Sequence, residues 1–500
     1  MSDSPDTSEK KRTLRVRKSM LELQRRFSLS YRLWQDLKAG WKGALFSLGV
    51  HGLLLLLLSI LVFQIIHPEP MILYMGWATV VDDADDKEED TEPVVEPIHI
   101  PSLGMSRPTE TQDTNTDPDR NDPKPVERPG VNPVAVSNSL QNRPKWTGNT
   151  REGGPKDEDL RKSLDAALKW IVRQQQADGH WSLTGPYPDA GTVETDTGAT
   201  ALALLCLLGD GNTHENGIYS QQVNKGIQWL IGQQHPDGDL FDILEQGREA
   251  HFYSHAQATI VLCEALALTH DPALRPPAEK AVEFLVRAQN PKWGGWKYRP
   301  LSESGIGDLS VTGWVLMALH TARMADIEVD LETYRLADLF ITSVQENEID
   351  GSHYKYRPDL PAEESQRLSM SAEGLLCRQW LGWPKDNFDL KRGVNFLQQE
   401  QNRPEWLAHR RNVYAWYYIA QTLHNLGGPQ WEQWFPPVQQ MILSNQISAG
   451  PTTGSWHPHR PEGAFHERSH DAGRLYMTAM CVLILETPQR HAPVYDTTAE

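Results

Sequence analysis

Thirteen polar or aromatic residues stand at or near the starts of six apolar, helix-forming segments. Histidine, carboxylate and tyrosine side chains are the usual general acids and bases of proteins. If the six segments converge, these residues are predicted to line one ligand cavity: Asp196, His251, Tyr253, His255, Asp308, Thr312, Trp314, Glu373, Arg411, Tyr414, His470, Asp471 and Arg474. Within this set, the candidates for a catalytic role are Asp308, His255, Asp196 and Asp471.

Helix capping is the competing interpretation of the acidic and hydroxyl residues. An N-cap typically contributes ~1 kcal/mol to a helix, which is sufficient to explain Asp196, Asp308 and Ser369. Capping does not explain why histidine and arginine residues also occur at the starts of these helices. Six helix N-termini directed at one cavity also favour a bound anion. The predicted ligand is therefore hydrophobic or anionic, and its identity stays open.

The string HERSH at 466–470 is a literal H-E-x-x-H motif. Two histidines one helical turn apart can share a zinc ion, but only if the segment is helical. A proline and a glycine just before the motif argue against a helix there. The four cysteines lie in apolar helices and resemble core residues, so no cofactor is predicted. The candidate metal ligands that remain are His457, His459, His466 and His470.

Six segments end on a large residue that is followed five positions later by Gln. The first members of these pairs are spaced by 59, 55, 56, 56 and 45 residues. Most of the Gln residues precede a turn with an aromatic residue and then a more apolar helix. The pairs are Trp170/Gln175, Trp229/Gln234, Phe284/Gln289, Phe340/Gln345, Phe396/Gln401 and Met441/Gln446.

A repeat of about this period indicates a repeat architecture. We predict an all-α fold, an α/α toroid of six helical hairpins over residues 156–487, followed by a tail at 488–500. The predicted inner helices lie near 197–209, 254–268, 310–323, 369–382, 412–426 and 472–486.

These repeats resemble the QW motifs of the squalene-cyclase and protein-prenyltransferase superfamily. HFYSHAQATIVLCEALALTHD (251–271), GDLSVTGWVLMAL (307–319) and GRLYMTAMCVLILE (473–486) are similar to a planctomycete-type, membrane-anchored bacterial branch with the prenyltransferase and squalene-oxidase repeat. The resemblance implies a terpenoid cyclase-like toroid whose inner helices line a cavity. The D-x-D-D motif of class II cyclases is reduced to ETDT at 194–197, and the prenyltransferase zinc site is not found in its usual form. Whether the chain is an enzyme therefore stays open.

The first 66 residues predict a single membrane anchor. Residues 1–43 carry 11 Lys+Arg against 5 Asp+Glu, and residues 44–66 contain no charged side chain. Twenty-three apolar residues are long enough to cross a bilayer. The positive-inside rule then places the basic segment in the cytoplasm and the rest of the chain on the extracytoplasmic, periplasmic side of the cell inner membrane.

Residues 67–155 contain 13 prolines and an acidic run, and this composition predicts a disordered linker. The formal charge of the whole chain is −18, which argues against a nucleic-acid partner. Within the anchor, Ser47 and His51 share one helix face and resemble the S-x-x-x-H-G pattern of TonB-type energy-transducing proteins. That resemblance implies a membrane partner, a proton-driven motor, although the TonB C-terminal domain is absent.

Three functions are compatible with these patterns. The slightly favoured one is an extracytoplasmic binding or scaffolding domain that holds an isoprenoid-like, glycan or peptide ligand. The second is an enzyme of the terpenoid cyclase, prenyltransferase or polysaccharide lyase kind, in which Tyr253 or His255 would act as base beside Arg411 or Arg474. The third is a motor-coupled envelope protein.

Overall fold

The computed structural model describes residues 15, 17–22, 131–133, 140, 143–147, 150–154, 156–241, 250–299, 306–346 and 352–495. The chain divides into two units, residues 1–75 and 76–500. In the first unit, residues 17–22 are helical. The predicted anchor at 44–66, with Ser47 and His51, lies outside the described residues. Within the residues that are described, no helix has the length and apolar character needed to span a membrane.

The described residues of the second unit form twelve α helices in alternating outer and inner positions. The outer helices are α1 (Glu158–Arg173), α3 (Ser220–Gln233), α5 (Arg275–Arg287), α7 (Leu331–Ser343), α9 (Phe388–Leu397) and α11 (Gly428–Ser444). The inner helices are α2 (Asp196–Gly209), α4 (His251–Thr269), α6 (Leu309–Met324), α8 (Glu364–Trp380), α10 (Val413–Leu426) and α12 (Ser469–Arg490).

Burial explains which helices lie inside. Helix α2 is buried at every residue from Thr197 to Gly209, so it has no polar face to turn to solvent. Helix α1 buries one stripe that includes Leu160, Leu164 and Ile171, and its other face is charged. A helix that is apolar all round needs neighbours all round, whereas an amphipathic helix covers the outside.

The inner helices form a closed ring. Each inner helix packs against the next one, and α12 packs against α2. The outer helices α11 and α1 also contact each other, which joins the sixth hairpin to the first. The predicted α/α toroid of six hairpins is therefore confirmed.

The Gln residues of the repeat connect one hairpin to the next. Gln289 Nε2 donates to the carbonyl oxygen of Gly294 in its own turn and to that of Thr333 in the following outer helix, at 2.8 and 2.9 Å. Gln446 Nε2 makes the same bridge from the sixth hairpin to Ser163 of the first, at 2.9 Å. The turn aromatic residue fastens the hairpin itself, since Trp296 Nε1 donates to the carbonyl of Leu285.

The fifth hairpin departs from the predicted pattern. Gln401 is exposed, and its side chain contacts only Gln399 of the same turn. Gln398 instead donates to the carbonyl oxygen of Gln430 in α11, at 3.0 Å. The assignment of Gln401 was wrong by three positions, because α9 ends early, at Leu397, and a 3₁₀ turn follows it.

Aromatic side chains fill the middle of the ring. Trp314 of α6 stacks on Tyr417 of α10 with ring centroids 5.8 Å apart, although α6 and α10 are not neighbours in the ring. Tyr417 also donates to the sulfur of Met317, at 3.5 Å. At this level the protein's own side chains occupy the predicted central cavity.

The linker prediction extended to residue 155, but its last part is ordered. Residues Lys145–Thr147 (β1) pair antiparallel with Thr150–Glu152 (β2). Trp146 Nε1 donates to the carbonyl oxygen of Asp210, at the end of α2. This hairpin is anchored by long-range contacts that composition alone does not reveal.

Candidate functional site

The inner helices begin at one end of the ring, which we call the mouth, and finish at the other, which we call the base. Asp308 lies at the mouth as the N-cap of α6. Its Oδ1 accepts hydrogen bonds from Val311 N and Ser310 Oγ, both at 2.8 Å. Its Oδ2 is buried and has no hydrogen-bond partner. Asp308 therefore caps a helix with one oxygen and leaves the other uncommitted.

Glu373 of α8 is the second carboxyl group at the mouth, and it is fully buried. Tyr414 donates to its Oε2 at 3.2 Å, whereas Oε1 has no hydrogen-bond partner. Oε1 packs against Gly313 of α6, where an added Cβ would lie 2.0 Å away. Glycine at position 313 is thus what allows this carboxyl group to fit between α6 and α8.

Tyrosine side chains surround the two carboxyl groups. Tyr253 makes a short hydrogen bond to Ser310, the residue that also contacts Asp308. Tyr298 and Tyr356 form a second short pair through their hydroxyl groups. Tyr253, Tyr298 and Tyr356 are partly buried, so these rings connect the buried acids to the surface of the mouth.

Burial raises the pKa of both carboxyl groups, so each holds its proton to a higher pH than it would in water. It raises the pKa of Asp308 to about 6, although the hydrogen bonds from Val311 and Ser310 oppose the shift. Burial also raises the pKa of Glu373 well above its ordinary value; hydrogen bonds from Tyr418 and Tyr414 oppose the shift, and the neighbouring Asp308 charge adds to it. The hydroxyl groups of Tyr253 and Tyr356 stay neutral for the same reason, since burial raises each pKa. The mouth is therefore a hydroxyl-rich, aromatic site whose two acids ionise less readily than they would in water.

His255, a catalytic candidate, and Thr312 occupy an equivalent position in their repeats. The backbone N–H of a turn residue donates to the side chain there: Leu240 to His255 Nδ1 and Trp296 to Thr312 Oγ1, both at 3.1 Å. The same bond joins Trp181 to Thr200, Tyr354 to Ser371 and Trp456 to Thr478. The other nitrogen of His255 contacts the carbonyl of Ala281. His255 thus fastens a turn in the way that Thr and Ser do elsewhere.

His251 pairs with a residue that the sequence did not single out. Its Nε2 lies 2.7 Å from Asp239 Oδ2, and its ring stacks on Phe241. Burial alone would raise the pKa of Asp239, but hydrogen bonds from His251 and His255 lower it below its ordinary value. This group is an internal histidine–aspartate contact beside the mouth.

Both arginines of the predicted cavity are already paired. Arg411 is fully buried, and its Nη2 lies 2.8 Å from Oε1 of Glu467, which is buried as well. Arg474 pairs with Asp189 and donates to the carbonyl oxygen of Pro188. Neither guanidinium group is available to neutralise a ligand charge.

The H-E-x-x-H string does not form the helical turn that zinc binding requires. Residues Phe465–Glu467 are a 3₁₀ turn, Arg468 has a left-handed backbone with φ of 61°, and α12 begins only at Ser469. The glutamate of the motif, Glu467, is instead the partner of Arg411. The motif is therefore a structural ion-pair element.

The remaining predicted residues lie towards the surface. His470 is exposed and contacts Asp471, and Asp196 at the start of α2 lies 3.5 Å from His180 Nε2. The rings of His459 and His470 are neighbours, with centroids 4.9 Å apart, and His457 lies 3.7 Å from Asp189. Potential metal ligands do come together elsewhere in the described part of the chain. The ligating atoms of His214, Glu215 and Asp271 lie within 4.8 Å of one another.

The sequence alone did not single out Tyr298 and Tyr356 of the mouth, or Tyr418, whose hydroxyl group donates to that of Tyr414 at 3.3 Å. A signal for two of them was present: Trp296-Lys297-Tyr298 and Tyr354-Lys355-Tyr356 repeat an aromatic-Lys-Tyr pattern in the third and fourth hairpins. In both hairpins the first aromatic residue is buried. The tyrosine two positions later pairs through its hydroxyl group with the matching tyrosine of the other hairpin.

Comparisons with known proteins agree with this architecture. Residues 154–253 match the family model of the squalene-hopene cyclase C-terminal domain. Squalene–hopene cyclase of Bradyrhizobium diazoefficiens is 26% identical over 188 residues, which cover 33% of this chain and 26% of that protein. Human lanosterol synthase is 27% identical over 143 residues, covering 28% of this chain and 18% of that protein. The chain thus spans about a quarter or less of the length of these curated relatives.

Two solved structures are similar to this chain at low sequence identity. A type II terpene cyclase of Scytonema has a TM-score of 0.42 at 14% identity, covering 66% of this chain and 97% of that one. A family 76 glycoside hydrolase of Bacteroides thetaiotaomicron has a TM-score of 0.48 at 10% identity, covering 66% and 98%. The family match and the sequence relatives support a terpenoid cyclase-like family for this chain.

Proposed function

We propose that the mouth of the toroid binds an uncharged, predominantly apolar ligand of the isoprenoid class. The observation that carries this proposal is the pair Asp308 and Glu373, two buried acids that each keep one oxygen without a hydrogen-bond partner among tyrosine rings. Apolar pockets with a few convergent polar groups are the usual form of small-molecule sites. The sequence relatives named squalene–hopene cyclase and lanosterol synthase support an isoprenoid as the ligand class.

The charges around the mouth favour a neutral ligand over an acidic glycan. An anion would need a cationic partner, and Arg411 and Arg474 are bound to Glu467 and Asp189. Burial of an anion beside two acids would also be unfavourable, because like charges repel strongly where water is excluded. The polysaccharide lyase alternative therefore lacks its charge-neutralising arginine.

Ligand binding can be tested on the full-length chain purified in detergent. Small molecules extracted from the protein would be identified by mass spectrometry, and binding of radiolabelled squalene would be measured directly. Tyr356→Ala removes one wall of the mouth and should reduce both signals strongly. Tyr495→Ala is the matched control, since this tyrosine is also partly buried but lies at the base, against the carbonyl of Trp383. The proposal would be contradicted if the parent protein did not bind squalene, or if the two variants bound it equally.

Proton donation to the bound ligand is a second candidate function. It is favoured by Asp308, whose pKa near 6 and unpartnered Oδ2 suit a general acid at near-neutral pH. The proton would pass from the carboxyl group to the ligand and be replaced from water. Asp308→Asn keeps the helix cap but removes the acid, so squalene should still bind while any cyclised product disappears from gas chromatography. Asp330→Asn, an exposed cap of α7, should leave the product unchanged. Conversion that survives Asp308→Asn would exclude this role.

We further propose that the toroid is held outside the cytoplasm by a single-pass anchor at residues 44–66. The basic segment 1–43 before an uncharged stretch of 23 residues supports this orientation. Protease added to intact spheroplasts should cut the linker and release the toroid. Protection of the toroid under these conditions would contradict the proposed orientation.

A further inference from the structure

The base of the toroid contains a buried ion cluster that receives a residue from outside the helical ring. Glu264 of α4 and Arg490 of α12 are both about 3% exposed, and Arg490 Nη2 lies 2.6 Å from Glu264 Oε1. Arg143, which precedes the first strand, donates from Nη1 and Nη2 to the two oxygens of Glu264 at 3.1 and 3.0 Å. Its Nε donates to the carbonyl oxygen of Arg490 at 3.1 Å. Arg143 thus enters the base with three directed hydrogen bonds.

A second arginine of the same segment is bound eight residues later. Arg151 Nη2 lies 2.5 Å from Oδ1 of Asp210, and only 6% of the arginine side chain is exposed. The two groups form an ion pair, but their atoms are not aligned for a hydrogen bond. Trp146 supports this contact by donating from its indole to the Asp210 carbonyl at 3.1 Å. Between the two arginines, the carbonyl of Pro144 packs against Gly211, where φ is +84° and an added Cβ would lie 1.9 Å from that oxygen. The backbone of the segment therefore packs closely against the end of α2.

The charges of the base are incomplete without this segment. The helical ring contributes the acids Glu264, Glu486 and Asp210, of which Glu264 and Glu486 are buried beside a single arginine, Arg490. Neither oxygen of Glu486 has a hydrogen-bond partner. Burial raises the pKa of Glu486 well above its ordinary value and that of Asp210 to about 7, so these two acids are readily protonated. Burial would also raise the pKa of Glu264, but Arg143 and Arg490 together hold it below its ordinary value. The charge that the segment supplies is therefore that of Arg143 beside Glu264.

We propose that the base of the toroid is a binding site for an arginine-bearing peptide segment, and that residues 143–147 and 150–154 of this chain belong to its resident, detachable ligand. The site distinguishes arginine from lysine, because Arg143 uses all three guanidinium nitrogens on a carboxylate and a carbonyl at fixed angles. It lies at the opposite end of the ring from the mouth, so this proposal does not depend on the ligand that the mouth binds.

A cleavage experiment on the full-length chain tests whether the segment is held by the base. A specific protease site is inserted immediately before Lys156, which is exposed. After cleavage, an affinity tag on the fragment 1–155 is used to retrieve the toroid fragment 156–500. We expect the two fragments to stay together. The double variant Arg143→Gln, Arg151→Gln should lower retention more than about tenfold, the scale expected when charged partners of a buried pair are removed.

Two controls separate arginine recognition from general effects. Lys145→Gln removes an exposed positive charge of β1 and should not change retention. Arg143→Lys keeps the charge but loses the bidentate geometry and should reduce retention. Fragments that separate in the parent protein, or a double variant that is retained fully, would overturn the proposal.

A synthetic peptide of residues 140–154 makes the test independent of how the variants fold. Added in excess to the cleaved parent protein, it should displace the fragment 1–155 from the toroid. The same peptide with glutamine in place of both arginines should not. Equal displacement by the two peptides, or displacement by neither, would show that the base does not recognise arginine in this segment.

Discussion

Asp308 shows how one side chain can serve the fold and remain available for chemistry. Its Oδ1 caps α6, as capping alone would predict, while Oδ2 stays buried without a partner. Burial raises the pKa to about 6 from an ordinary value of 3.8. The protonated form therefore contributes stability that is fully present below pH 3.8 and is lost as the pH rises through 6.

This shift gives a pH-dependent prediction for Asp308→Asn. The amide caps about as well as the acid but cannot ionise, so the variant escapes the loss of stability at higher pH. We expect the free energy of unfolding of the variant, relative to the parent, to rise by about 2.4 kcal/mol between pH 4 and pH 7, from ~1.4 kcal/mol per pKa unit. Urea unfolding at each pH measures it. Asp330→Asn, at an exposed cap, should show no such trend; a flat difference for Asp308→Asn would mean that its carboxyl group ionises normally.

At the scale of elements, the repeat is held together by amide side chains that bridge neighbouring hairpins. The fifth hairpin offers an internal comparison, because Gln398 bridges to α11 and Gln401 is exposed. Gln398→Ala should lower the free energy of unfolding by about 1 kcal/mol, the net value of a typical hydrogen bond. Gln401→Ala should be nearly neutral. Denaturant unfolding of both variants checks this, and equal losses would show that the bridge does not stabilise the hairpin.

At the scale of the whole molecule, stability depends on closing the ring. Helix α12 packs against α2, and Gln446 of the sixth hairpin bonds to Ser163 of the first. Deleting residues 430–487 would expose the apolar faces of both neighbours. A solenoid tolerates the loss of a terminal repeat when the newly exposed end is polar. The faces that this deletion would expose are apolar.

We therefore expect the deletion to yield aggregates or a product without cooperative unfolding. Size-exclusion chromatography and thermal unfolding measure both properties. Gln446→Ala is the graded companion, since it removes one contact of the closing seam and should lower stability without loss of the fold. A soluble, cooperatively unfolding five-hairpin protein would show that the ring need not close.

The sequence by itself determined the number of hairpins, the order of outer and inner helices and the acids at the mouth. Periodic apolar residues and repeated turns are local signals, and they state which faces must be buried. The roles of individual polar residues were decided only by the tertiary structure. Arg411 is matched to Glu467, and His255 to Leu240 and Ala281, through contacts between separate elements. A buried polar group acts on a ligand only if no protein group has satisfied it first, and that partner is set by the closed ring rather than by the neighbouring sequence.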